Sequence, residues 1–247
     1  MAPKSTNSMK YLDLTLADAA SNLACDEALV ELFEARRVNH GLLRIWESEK
    51  HFVVLGHSNR IDLEVDLAAC ESERVSIFRR LSGGGTVMQG PGCLNYTLIL
   101  RNGIDAPAGI EELFRFVLEH HKRCIEQMIE YPVDIAGVSD LVIDGRKFSG
   151  NAQYRRRIFT LLHGTFLLDF NLAMAARCLR MPSKQPVYRQ NRPHLYFMRN
   201  LHLDSMKLRQ ALRAVWRGTD EYIDIPAVRI TDLQRSRYQR SEWTCKF

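Results

Sequence analysis

The sequence predicts an α+β fold: a mixed, mostly antiparallel sheet flanked by helices. Three observations carry that expectation. Short alternating or apolar segments follow one another in hairpin-like succession, not in strict β-α-β-α order. An Asp-Gly pair joins two of them with the spacing of a tight hairpin. Long stretches with helical spacing of apolar residues lie between the strand-like segments.

Residues 1–8, MAPKSTNS, are small and polar and read as a disordered N-terminal extension; Met9 opens the first patterned segment. From 18 to 36, Cys25, Ala28, Leu29, Leu32 and Phe33 recur at helical spacing. LLRIWE (42–47) and HFVVLG (51–56) have the short apolar bursts of strands. SIFRR (76–80) leads into a glycine cluster, and LNYTLILR (94–101) alternates cleanly. A long helix over 108–130 is expected to bury Ile110, Leu113, Phe114, Val117, Cys124 and Met128. In DLVIDGRKFSGNAQ (140–153) a strand runs to Asp144, Asp-Gly makes a type I′ turn, and a second strand starts at Arg146. FTLLHGTFLLDF (159–170) is another strand, and 171–180 a short helix ended by Pro182. A polar, Pro-interrupted stretch (181–200) precedes a helix at 205–217. Leu208, Ala211, Leu212, Val215 and Trp216 form its buried face and Gly218 its stop. No internal repeat is visible, and residues 9–247 read as one domain with a short helical tail.

Composition narrows the function classes. With 46% hydrophobic and 26% charged residues in 247, the chain is neither collagen-like, low-complexity nor wholly disordered. Its longest apolar runs are only a few residues, as in LVI at 141–143, so no membrane span and no membrane partner is expected. The absence of a charged-then-apolar leader points to a cytoplasmic protein. Cys25, Cys70, Cys93, Cys124, Cys178 and Cys245 form no CxxC pair, which argues against a zinc site or disulfide framework. The net charge of +5 fits nucleic acid, phosphate-bearing small molecules or an acidic protein partner, or simply a slightly basic surface.

Three segments have the residues for chemistry. RRLSGGGTV (79–87) joins Arg79 and Arg80 to three adjacent glycines, whose backbone N–H groups can cradle an anion; a flexible hairpin tip is the alternative. Arg80 offers a forked cation for phosphate or carboxylate. The segment matches neither a P-loop nor a GxGxxG fingerprint. Lys147 follows the tight turn on a strand, where a fixed ammonium can bridge a phosphate and a carbonyl oxygen, unless it is merely a solvated lysine. Around it Arg146, Arg155, Arg156 and Arg157 form a basic face. In HGT (163–165) a strand histidine is followed by a glycine that marks a bulge or a close ligand approach. No Ser/His/Asp order, HExxH or paired-carboxylate motif is present.

Taken in order, these motifs resemble the lipoate–protein ligase family of the biotin/lipoate ligase and acyltransferase superfamily. RRLSGGGTV is similar to the family's RR-x-SGGG-[AT]-V loop, and SDLVIDGRKFSGNAQYR (139–155) to its ND-L-…-GRK-[IF]-SG-[SN]-AQ signature. LLHGTFLLDF resembles the L-x-HGT-LL strand and NLACDEAL (22–29) the N-terminal helix motif, so the likeness runs over roughly residues 9–200. It implies a biotin/lipoate ligase-like, class II synthetase-like catalytic domain with an acyl-adenylate pocket under the glycine loop. On that resemblance Arg80, Ser82, Gly83, Gly84, Gly85, Thr86 and Val87 wrap the acyl chain and nucleotide phosphate. Lys147 contacts the acyl carbonyl and α-phosphate, Asp140 sits near the adenine, and Ser149, Gly150, Ala152, His163, Gly164 and Thr165 line the pocket. The implied reaction activates lipoate with ATP and Mg2+ to lipoyl-AMP. The lipoyl group then passes to a lysine of a lipoyl-carrier domain, as in a 2-oxoacid dehydrogenase acyltransferase subunit or glycine cleavage H protein.

Two departures bear on mechanism. Where the family reads H-D-x-GN after the glycine loop, this chain has Gln89-Gly90-Pro91-Gly92-Cys93. Octanoyl-transferring relatives use a cysteine thiolate, in one branch just before the lysine motif, where DIAGV (134–138) has none. Cys93 is then the candidate nucleophile for an octanoyl or lipoyl amidotransferase, or a small buried strand-end residue. A non-catalytic nucleotide- or nucleic-acid-binding relative is the remaining alternative, disfavoured because aromatic residues scarcely interleave the basic cluster. After residue 200, one helix and RSRYQRSEWTCKF are too short for the usual accessory domain, so a separate accessory ligase subunit is expected.

Overall fold

A computed structural model describes residues 9–247, and the expected N-terminal extension at 1–8 lies outside the described residues. In chain order come β1 (Met9–Asp13), α1 (Ala19–Arg36), β2 (Gly41–Glu47) and β3 (Phe52–Leu55). Two short helices, α2 (Ile61–Glu64) and α3 (Leu67–Ser72), lead to β4 (Ser76–Arg79), the glycine cluster, β5 (Val87–Gln89) and β6 (Cys93–Arg101). Then follow α4 (Ile110–Ile129), β7 (Asp134–Ala136), β8 (Asp140–Ile143), β9 (Arg146–Arg155) and β10 (Phe159–Leu167). The remaining elements are α5 (Leu172–Cys178), α6 (His194–Phe197), α7 (Ser205–Val215), β11 (Gly218–Glu221), α8 (Ala227–Leu233) and α9 (Ser241–Thr244).

An eight-stranded sheet runs β11-β1-β2-β6-β10-β9-β8-β7, and a three-stranded sheet β4-β3-β5 stands beside it. From β2 to β7 every neighbouring pair is antiparallel, whereas β1 pairs in parallel with both β2 and β11. The expected mixed, mostly antiparallel α+β architecture is therefore present.

Alternation along β6 explains how the large sheet is covered. Leu94, Tyr96, Leu98 and Leu100 pack on one face with α4 and α7, through Leu113, Val117, Leu208 and Trp216. Ile99 points to the opposite face, where α1 places Leu29 and Phe33 against Leu42, Trp46 and Phe159. Each fully buried Leu or Phe contributes roughly 1.5–3 kcal/mol, so the central strands anchor the fold. Local chemistry sets the ends: Asp18 caps α1 by accepting from Ser21 N at 2.8 Å, and Asp204 caps α7 from Lys207 N at 2.9 Å. Asp144 (φ 52°) and Gly145 (φ 68°) form the expected type I′ turn between β8 and β9.

Three expectations need correction. Ile110 is exposed, because it sits on the first turn of α4, outside the stripe that meets the sheet. Gly218 does not stop α7; Arg217 takes the left-handed conformation (φ 50°) and Gly218 opens β11. The strand expected over 159–170 ends at Leu167. No helix among the described residues is long and apolar enough to cross a membrane.

Candidate active site

A cavity of about 380 Å3 lies where the glycine loop, between β4 and β5, faces strands β6, β10, β9 and β8. Its apolar lining includes Leu23, Trp46, Val54 and Leu167, and its charged lining Asp26, Asp140, Lys147, Lys184 and Arg189.

The loop is shaped by Arg80, which follows β4 and is buried. Its Nε donates to Ser82 Oγ (3.0 Å), and its Nη2 to the carbonyls of Gly83 (2.6 Å) and Gly85 (2.8 Å). Burial pushes the Arg80 guanidinium down to about 10, which leaves it cationic at neutral pH. Arg80 lines the cavity, with its Nε and Nη2 donors engaged by its own loop. Gly84 (φ 88°) makes the turn that a side chain would strain. Gly84, Gly85, Thr86 and Val87 line the cavity, but Ser82 and Gly83 do not. Ser82 is buried behind the loop and Gly83 faces outward, where an added Cβ meets nothing within 4 Å.

Lys147 stands near the start of β9, braced by its carbonyl, which accepts from Arg199 N at 2.9 Å. Its Nζ lies 2.8 Å from Asp140 Oδ1, and the Tyr188 hydroxyl donates to Asp140 Oδ2 at 2.7 Å. Burial first, and then Asp140, push the Tyr188 phenol far up, so it stays a donor. The ammonium crosses directly over Gly150: a Cβ there would lie 2.5 Å from Nζ. The lysine thus occupies the space that a side chain at Gly150 would take.

His163, on β10, joins the loop to the buried charges beneath. Its Nε2 is 2.6 Å from Ser82 Oγ, and its Nδ1 is 3.5 Å from Asp26 Oδ2. Facing a carboxylate that only accepts, Nδ1 carries the ring proton, and the Ser82 hydroxyl donates to Nε2 while accepting from Arg80. Asp26 also accepts from Thr97 Oγ1 (2.8 Å) and from the fully buried Arg44 Nη1 (2.6 Å). Burial raises the Asp26 carboxyl, but Arg44, His163 and Thr97 outweigh it and the net displacement is downward. Thr165 donates to Asn95 Oδ1 (2.6 Å) and accepts from Gln89 Nε2 (2.8 Å).

Ser149, Ala152, Gly164 and Thr165 complete the expected lining. Thr86 Oγ1, Ser149 Oγ, Asn95 Nδ2, Gln89 Oε1 and Trp46 Nε1 are buried without a protein partner. Their residues all line the cavity, which fits a ligand with polar groups of its own. Among the described residues no set of three or more His, Cys, Asp or Glu converges as metal ligands do. Cys93, the candidate nucleophile, is fully buried among Val53, Leu55, Met88 and Phe170, and burial pushes its thiol far up. It does not line the cavity, nor does any other cysteine.

Sequence reasoning missed Asp26, Trp46, Tyr96, Asn151 and the contribution of 181–198. Asp26 stood in the quoted NLACDEAL motif, but nothing local marks it as the partner of Arg44. Tyr188, Arg189, His194 and Phe197 lie in the stretch read only as polar; in fact it forms one wall of the cavity.

A family model described as the lipoyl protein ligase A/B catalytic domain matches residues 18–203. The probable lipoate-protein ligase A of Mycoplasma pneumoniae is 29% identical over 168 residues, 67% of this chain and 47% of that protein. The chain therefore spans about half the length of that relative. Octanoyltransferase LipM of Geobacillus kaustophilus is 22% identical over 273 aligned positions, 96% of this chain and 98% of that protein. Among solved structures, a chain from the bipartite lipoate protein ligase and E2 lipoyl domain system of Thermoplasma acidophilum superposes with a TM-score of 0.80. It is 20% identical, with 96% of each chain covered. Lipoate-protein ligase A bound with ATP gives a TM-score of 0.77 at 22% identity, covering 96% of this chain and 98% of that one. These structural likenesses establish the fold. With the family model matching most of its length, the chain belongs to the lipoyl protein ligase A/B catalytic-domain family, enzymes whose relatives include both lipoate-protein ligases and octanoyltransferases.

Proposed function

We propose that this chain is the catalytic module of an ATP-dependent lipoate–protein ligase. It forms lipoyl-AMP and transfers the lipoyl group to a lysine of a lipoyl-carrier domain. The observation that carries the reading is Lys147: an ammonium fixed 2.8 Å from Asp140, laid over Gly150, at the wall of a cavity no thiol lines.

In the first step a lipoate carboxylate oxygen attacks the α-phosphorus of ATP and pyrophosphate leaves. In the second the carrier amine attacks the acyl carbon and AMP leaves. Neither step needs a protein nucleophile. Lys147 offsets the charge shared by acyl and phosphate oxygens, and Asp140 with Tyr188 holds it there. The Gly84–Thr86 backbone closes over the phosphate, and apolar Leu23, Trp46 and Val54 take the acyl chain. One positioned donor of this kind is commonly worth about 100- to 1000-fold in rate. Mg2+ accompanies ATP as its substrate complex. The T. acidophilum chain of matching length comes from the structure of a bipartite lipoate protein ligase and its E2 lipoyl domain. We carry both over: a lipoyl domain as acceptor and a separate accessory subunit for adenylation.

Octanoyl transfer is the second reading, favoured by the end-to-end match to LipM. The test is the mass of a lipoyl domain after incubation with the protein, lipoate and Mg-ATP, with and without an accessory subunit. The ligase reading expects ATP-dependent lipoylation that falls at least 100-fold in Lys147→Ala. Acylation from octanoyl-acyl carrier protein without ATP would replace it with the transferase.

A further inference from the structure

The segment beyond α8 reaches back to the base of the glycine loop. Arg79, the last residue of β4, is fully buried. Its Nε donates to the carbonyls of Trp243 (3.1 Å) and Thr244 (3.0 Å), and its Nη2 to Thr244 (2.7 Å). Its Nη1 donates to the carbonyls of Gly56 (2.9 Å), His57 (3.1 Å) and Asn59 (2.7 Å). These acceptors are all backbone carbonyls, so the cation ties two main-chain segments, 56–59 and 243–244, to the end of β4. Trp243 returns a bond, its indole N–H donating to Arg79 O at 2.8 Å.

The knot sits directly behind the loop. Arg80, the next residue, holds the carbonyls of Gly83 and Gly85. The 56–59 turn touches the loop itself: His57 N donates to Ser82 O at 2.9 Å. A Cβ on Gly56 would lie 2.1 Å from Gly84 O, so the two backbones are in van der Waals contact. Arg79 is thereby connected, through Arg80 and the 56–59 turn, to Gly84 and Gly85, which line the cavity.

Trp243 is itself gripped by cations. Arg237 lies 4.9 Å and Lys246 3.9 Å from its ring, and Lys246 Nζ is 3.0 Å from His57 Nε2. Phe247 lies under the Arg79 guanidinium at 5.3 Å. Burial, followed by Lys246, Arg79 and Arg237, lowers the His57 pKa and keeps the lone pair that Lys246 uses.

We propose that Arg79 and Trp243 are positioning residues for the glycine loop, with α9 and the residues after it acting as a clamp that holds the loop in its ligand-receiving geometry. The ligand's identity rests on the ligase reading; the clamp itself rests on the contacts above.

The test follows amide hydrogen exchange and lipoyl-AMP binding in the full chain carrying Trp243→Ala, Trp243→Phe or Arg79→Met. In Trp243→Ala, exchange should rise at least tenfold at 56–59 and 80–87 and remain unchanged in α4. Lipoyl-AMP binding should weaken about tenfold, with Trp243→Phe in between because it keeps the cation platform. Unchanged exchange at 80–87, or acceleration spread evenly over the molecule, would overturn the proposal. If Trp243→Ala fails to fold, Trp243→Phe decides by the same two readouts. Wild-type protein that binds no lipoyl-AMP would sink the ligase reading, and the exchange pattern would still decide the clamp.

Discussion

Gly150→Ala separates positioning of Lys147 from stability of the fold. Gly150 lies mid-strand on β9, paired with Asp140 on β8 and Thr165 on β10. An alanine Cβ would sit 2.5 Å from Lys147 Nζ and 2.6 Å from its Cε. Ordinary contact needs about 3.5 Å, so the ammonium must move by about 1 Å and its 2.8 Å pairing with Asp140 opens. At an effective dielectric of about 20 that opening forfeits roughly 1.5 kcal/mol of attraction, reduced further because Lys147 is partly exposed. Replacing a strand glycine by alanine recovers about 0.5–1 kcal/mol. The two nearly cancel, so the melting temperature should stay within about 3 °C of wild type. Catalysis has no such compensation, since a misplacement of about 1 Å costs on the order of 100-fold. The assay is single-turnover transfer from ready-made lipoyl-AMP to a lipoyl domain, read by carrier mass, alongside thermal unfolding. A folded variant that transfers within threefold of wild type would refute the positioning argument.

Other outcomes follow from buried groups. Asp26→Ala leaves the fully buried Arg44 without its carboxylate and should cost about 3–5 kcal/mol in chemical denaturation, partly restored by adding Arg44→Met. Burial lowers the His121 imidazole to about 3, with its Nε2 accepting from Trp216 Nε1 at 2.8 Å. Its folded pKa lies below its unfolded one, so its stabilisation is full above pH 6.5 and is lost as pH falls from there toward 3. The displacement corresponds, at about 1.4 kcal/mol per unit, to roughly 5 kcal/mol, and His121→Asn should flatten stability measured across that window. Cys93→Ala should lower stability by about 1 kcal/mol and leave the transfer rate unchanged, as steady-state kinetics will show.

What the sequence made legible was local. The Asp144-Gly145 turn needs only two adjacent residues with positive φ, and β6 declares itself by alternation. Lys147 and the glycine loop stood out because each lies in a run whose neighbours set its geometry, whereas Gly150 entered only through the family resemblance. Contacts made across long separations were not legible. Asp26 meets Arg44 between α1 and β2, and Asp140 meets Tyr188 from a stretch with no periodicity. The parallel pairing of β1 with β11 joins residues more than 200 apart. Ser82 was placed with its glycine neighbours because sequence adjacency does not tell which side of a loop faces the ligand. Its hydroxyl turns to His163 instead.

In the proposed ligase reaction the acyl group travels as an adenylate and never on a protein thiol. Intact-mass measurement of both proteins, after mixing this chain with a lipoyl domain and either lipoyl-AMP or octanoyl-acyl carrier protein, tests it directly. The expected result is a lipoylated carrier in the adenylate arm only, with this chain's own mass unchanged. An acyl mass on this chain that hydroxylamine removes, with an octanoylated carrier in the second arm, would contradict it.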